Sequence, residues 1–115
     1  MDAARALADL VEISPQIQAA AIVTGGGEIA GTVGVPEARA DLLARCVREL
    51  IDGAGGFRGD EADVTQVHAE LPEGQVFVVA GDDAQAIVAV TAGRAAPGLL
   101  FYDLKRCLAL VADET

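Results

Sequence analysis

Apolar and polar positions divide this chain into strands of two kinds and helices of one. Two short runs, Gln75-Val-Phe-Val-Val-Ala80 and Ala86-Ile-Val-Ala-Val-Thr91, are apolar at almost every position, with the polar turn Gly81-Asp82-Asp83 between them. A run that does not alternate must have both faces covered, so each predicts a central strand in a three-layer scaffold. Residues 17–24 follow the same rule. Residues 28–35 and 63–71 are less apolar, which places them at the sheet edges. The segment 63–71 alternates: Thr65, Val67, Ala69 and Leu71 share one face, and Val64, Gln66, His68 and Glu70 share the other. Gly25-Gly-Gly27 joins the first two strands as a hairpin, and Pro72-Glu-Gly74 turns the third into the fourth.

Three helices complete the pattern. Leu7, Leu10 and Val11 make a stripe over 2–12, which Ser14-Pro15 stops. Pro36 marks a helix start, with Glu37 facing the positive end of the dipole. That helix is predicted to reach residue 52 and to end at Gly53-Ala-Gly-Gly56. Its apolar positions are Leu42, Leu43, Cys46, Val47, Leu50 and Ile51, and Asp41, Arg45, Arg48 and Asp52 lie opposite. Pro97-Gly98 opens the last helix, over 99–111. A hairpin plus a three-strand meander then predicts one α/β (α+β) domain over 1–115. Its antiparallel sheet has five strands in the order 2-1-5-4-3, with helices on both faces.

The third strand leaves its outer N–H and C=O groups open, with no proline or lysine to block pairing. Either Asp63, Glu70 and the adjacent loop protect it, or it pairs with its own copy about a two-fold axis. Pairing is the favoured reading, with Val64, Gln66, Val67, His68 and Glu70 of the strand at the interface. His68 there would add a mild pH dependence.

Composition narrows the function. The 115 residues are 52% apolar and only 3% aromatic, so the core is built from Ala, Val, Leu and Ile. Few aromatics and no Trp disfavour base-stacking surfaces. A net charge of −10 repels nucleic acid and anionic membranes alike. No apolar run reaches the roughly 18–20 residues of a membrane span, and the first residues do not resemble a signal peptide. The cytoplasm is the expected compartment, with Cys46 and Cys107 reduced and buried.

Candidate chemistry is sparse. Gly25, Gly27 and Gly31 follow a strand, but a dinucleotide loop needs a helix next, and here a strand follows. Ser14 and His68 are the single serine and histidine, and nothing in the pattern brings them together for nucleophilic catalysis. Zinc ligation needs more clustered Cys and His than Cys46, His68 and Cys107 offer. Asp60-Glu61-Ala-Asp63 and Asp82-Asp83 lack the ligand spacing of a calcium loop and fit solvated turns. No enzyme, cofactor or metal is expected. Asp41 with Arg45 and Arg48 with Asp52 stand at i,i+4 spacing, each pair supporting its helix by roughly 0.2–0.5 kcal/mol. This face is either a solvated, self-paired surface or, doubled by a dimer, a polar docking platform suited to transient contacts.

Three stretches carry a family resemblance. Val76-Phe-Val-Val-Ala-Gly81, Ala86-Ile-Val-Ala-Val-Thr91 and Gly98-Leu-Leu-Phe-Tyr-Asp-Leu-Lys-Arg106 resemble the closing strands and helix of the Roadblock family, small dimeric domains named for a dynein light chain. Ala20-Ala-Ile-Val-Thr-Gly-Gly-Gly-Glu-Ile-Ala30 resembles its opening hairpin, although Gly26-Gly27 stands where an Asp-Gly pair is common. The resemblance implies a profilin-like, Roadblock-type architecture. It also implies a homodimer joined through third strands and second helices into one ten-stranded sheet, and on that resemblance alone Leu43 and Val47 of the second helix join the interface. Bacterial relatives bind Ras-like small GTPases and can stimulate hydrolysis by repositioning the GTPase's own catalytic residues. The implied function is a non-catalytic homodimeric regulator or adaptor of such a GTPase. A nucleotide-independent scaffold and a small-ligand sensor are the alternatives. No position matches a catalytic motif, so none is carried over. Asp41, Arg45, Arg48 and Asp52 are the candidate partner contacts on geometry alone.

Overall fold

A computed structural model describes residues 2–57, 66–72, 74–81, 85–93 and 95–112. The elements are α1 (Ala3–Ile13), β1 (Ile17–Val23), β2 (Ile29–Val33), a 3-10 turn (Glu37–Arg39), α2 (Ala40–Phe57), β3 (Gln66–Leu71), β4 (Gly74–Ala80), β5 (Ala86–Thr91) and α3 (Pro97–Ala112). Asp2 caps α1 by accepting from the Arg5 amide at 2.8 Å, which satisfies one of the helix's orphan donors.

The five strands form one antiparallel sheet in the order β2-β1-β5-β4-β3, as the apolar runs require. Its central strands are covered on both sides. On one face Ala20, Ile22, Ile87, Ala89, Phe77 and Val79 pack under α1 and α3, against Leu7, Leu10, Leu100 and Leu104. On the other, Ala21, Val88, Val78 and Ala86 pack under α2 against Val47, with Leu43, Ile51 and Val67 at the margin. One face therefore carries two helices and the other carries one.

Several boundaries differ from expectation. The glycines at 53, 55 and 56 do not end α2, which continues to Phe57. Each helical glycine costs roughly 1 kcal/mol relative to alanine, a cost the helix carries through its last turn. The second strand stops at Val33 rather than 35, because Gly34 has φ +70 and starts the turn into the helix. β3 is described from Gln66, so the expected strand start at 63–65, including Val64, lies outside the described residues, as do the carboxylates of 60–63 and 82–83. Cys46, expected to be buried, is exposed, because it lies on the flank of α2 and not beneath it.

Candidate functional site

The two edges of the sheet are finished differently. Over β2 lies α1, and a bulge at Ile22/Val23 disturbs its pairing with β1. Bulges and helical cover are what blunt an edge. β3 has an uninterrupted register with β4, Gln66↔Val79 through Leu71↔Gly74, and no strand on its other side among the described residues. Its alternation survives folding: Val67 and Ala69 are half-buried on the α2 face, and Gln66, His68 and Glu70 are exposed on the other. The His68 ring stacks on Phe77 with centroids 4.5 Å apart and planes 7° apart, and meets Phe101 edge-on at 6.5 Å. Glu70 is held at the edge by Gln75, whose Nε2 donates to Glu70 Oε1 at 3.4 Å.

Beside this open edge, the α2 face is under-covered. Ala19, Val90, Val76 and Ala69 stand opposite one another across four strands, and all four are only half-buried. Ala19 and Val90 floor a groove of about 330 Å³ walled by Leu42, Leu43 and Cys46 of α2. Leu42 is 51% exposed and Leu50 38%. Leu42, Cys46 and Leu50 follow at i,i+4 spacing and so form one apolar flank of the helix. The other flank carries Asp41, Arg45, Arg48 and Asp52. A single helix thus has an apolar side and a charged side, both reaching solvent.

The candidate residues separate on this frame. Asp41, Arg45 and Asp52 are exposed on the charged flank. Arg48 is half-buried and engaged by a neighbouring group. Gln66, His68 and Glu70 are exposed at the edge of the sheet, and Leu43 and Val67 are half-buried beside it. Val47 is different: at 2% exposure it is enclosed in the chain's own core and presents no surface. Val47 was expected at the interface, and the apolar pattern of the helix does not distinguish it, under the helix, from Leu42, Cys46 and Leu50 on its flank. Leu42 and Leu50 were visible as apolar helix positions, but only packing shows that the sheet leaves them uncovered.

Ser14 and Cys107 are occupied elsewhere. Ser14 ends α1: its N–H donates to Leu10 O at 2.8 Å, and its Oγ donates to Asp103 Oδ2 at 2.7 Å. It sits at the start of β1, three strands from β3 and His68 in the sheet order, or roughly 14 Å at ordinary strand spacing. Cys107 is buried between α1 and α3. Among the described residues no group of three or more His, Cys, Asp or Glu side chains is placed to hold a metal. A second cleft, about 410 Å³, lies at the β3–β4 turn, lined by Glu70, Pro72, Gln75 and Gly93. Its buried amide is satisfied, since Gln75 Oε1 accepts from the Ala95 amide at 2.9 Å. No described helix is long and apolar enough to cross a membrane.

No family model and no curated protein matches the chain. Solved structures do. A Roadblock/LC7 domain from Streptomyces avermitilis superposes with a TM-score of 0.87 at 23% identity, covering 99% of this chain and 98% of that one. The gliding protein MglB from Thermus thermophilus gives 0.73 at 18% identity, over 96% and 90%. Profilin II from Acanthamoeba castellanii gives 0.63 at 16% identity, over 97% and 98%. The chain has the Roadblock fold, within the wider profilin-like architecture, as its closing strands and helix led one to expect.

Proposed function

We propose that this Roadblock-fold chain is a non-catalytic homodimer that regulates a small Ras-like GTPase. The observation that carries the reading is one helix with two solvent-reaching flanks beside an open strand edge. Pairing of β3 with a second copy removes the exposed ladder groups and brings the apolar flanks of two α2 helices over the half-covered row Ala19, Val90, Val76 and Ala69. The charged flanks then lie outward as a doubled polar platform. Likeness to MglB, and the sequence resemblance to bacterial domains that bind Ras-like GTPases, support that partner over others of similar size. The acidity of the chain favours a protein partner over nucleic acid. The cytoplasm is where such a GTPase resides.

Regulation here requires no catalytic group of this chain. Docking on two α2 helices stabilises whichever conformation of the GTPase fits them, and only differential affinity for its states shifts its equilibrium. Arg45 is the cleanest probe, since it is exposed and Arg48 is engaged within the chain. Immobilised protein, given lysate with a GTP analogue or GDP, should retain a Ras-like GTPase in one nucleotide state preferentially. Arg45→Glu should weaken that binding about tenfold or more, the loss of a charged contact plus a new repulsion, while leaving the dimer intact. Unchanged affinity removes the charged flank as the docking site. Equal retention in both nucleotide states makes the chain a scaffold.

A further inference from the structure

The residues of β3 select one register for its pairing with a second copy. This rests on the homodimer proposed above. A two-fold axis normal to the sheet keeps α2 and its copy on the same face, so only residues of one face can stand opposite each other. Four registers, centred on Val67, His68, Ala69 or Glu70, then bring β3 residues face to face near the middle of the strand. The one centred on Val67 sets His68 against the neutral Gln66 and carries Glu70 past the described start of β3. Centring on His68 sets His68 against its own copy. Centring on Glu70 sets two carboxylates against each other. Like charges directly opposite are destabilising, and opposite charges stabilise.

We infer that the axis passes through Ala69, so that His68 stands opposite Glu70 of the second copy, twice per dimer. The other face agrees. This register sets Leu71, 54% exposed, against the half-buried Val67 of the copy. It places the smallest side chain of the strand on the axis, where two α2 helices approach. Pairing ends at Pro72, which has no N–H to donate. Both charged partners are already positioned: the His68 ring by its stack on Phe77, and the Glu70 carboxylate by Gln75.

The consequence is a dimer tuned by pH. Among the described residues, the charged groups around His68 are Glu70 on its own strand and Lys105 on α3, which lies beside Val79; β4 contributes none. Histidine gains its charge as pH falls between 8 and 5, where glutamate remains ionised. Protonated His68 is therefore paired in the dimer and unpaired in the monomer. Association is strongest near pH 6 and weakens as pH rises toward 8.

Sedimentation equilibrium of the full chain at both pH values tests this. The dissociation constant should fall roughly two- to thirty-fold from pH 8 to pH 6, the sum of two cross-strand charge pairs. Protonation of His68, the single histidine, also lowers the net charge of each copy, so Glu70→Gln, which keeps that change and removes the partner, supplies the baseline and should lose the extra change. His68→Lys should tighten the dimer at pH 8, where a register centred on His68 requires it to loosen. Independently, oxidation in a Cys46→Ser background should cross-link the Ala69→Cys variant and leave the His68→Cys variant unlinked. The reverse pattern, or a looser His68→Lys dimer, overturns the register while the dimer stands. A chain monomeric in every variant and at both pH values overturns the dimer with it.

Discussion

Cys107 lies 3% exposed between α1 and α3. Burial, and after it the negative charge of Asp9, pushes its thiol up from 9.0 to about 11. The thiolate is the nucleophile, so this cysteine is inert near neutrality. Cys46, on the exposed flank of α2, has no such protection. Alkylation of the dilute folded chain near pH 8 should modify one thiol, and Cys46→Ser should abolish the reaction. The same raised value sets an alkaline limit on stability. The unfolded chain loses this proton near 9 and the folded chain near 11, so the contribution is complete below pH 9 and disappears as pH climbs through 11. Denaturant midpoints should drop between pH 8 and 10.5, and Cys107→Ala should flatten that drop. Ser14 teaches the same lesson about function: the single serine of the chain joins the end of α1 to Asp103 across 89 positions of sequence. Nothing local in the sequence discloses that partner, so a hydroxyl weighed for catalysis turns out to hold two helices together.

At the scale of elements, α2 matters most and was the least legible. The apolar runs placed β1, β4 and β5 in the centre because an extended strand with two apolar faces has no other stable location. The lower apolar content of 63–71 predicted an edge strand for the same reason, and β3 is one over its described residues, Gln66–Leu71. For α2 the pattern named the right residues but not its length or rotation. Gly53 looked like a cap, yet it is an interior helical position where an added Cβ meets nothing within 4 Å. Gly34 is the opposite case: its φ is +70, and a Cβ there would collide with the Gln18 carbonyl. Gly53→Ala should therefore stabilise the chain by about 0.5–1 kcal/mol, and Gly34→Ala should destabilise it by at least about 1–2 kcal/mol. Paired thermal melts decide both. Equal destabilisation by the two would mean that α2 ends before Gly53, as the sequence alone suggested. Rotation escaped the sequence because Leu42, Cys46 and Leu50 share the apolar character of Leu43, Val47 and Ile51. Only the sheet beneath decides which row is covered.

The whole molecule is a three-layer sheet with one side unfinished. α1 and α3 close one face and α1 shields the β2 edge, whereas a single helix leaves the other face half-covered next to the β3 edge. Both gaps adjoin, and the proposed second copy would fill both at once. That economy is why a chain of net charge −10 is proposed to self-associate despite repulsion between copies. The docking platform proposed for a GTPase would be complete only after this step, so the regulatory reading depends on it. Sedimentation of the intact chain over a range of concentrations measures it most directly. The account predicts a species of about twice 11.7 kDa that dissociates on dilution. A mass of 11.7 kDa at every concentration would contradict it, leaving the fold in place and the open edge of β3 without its partner.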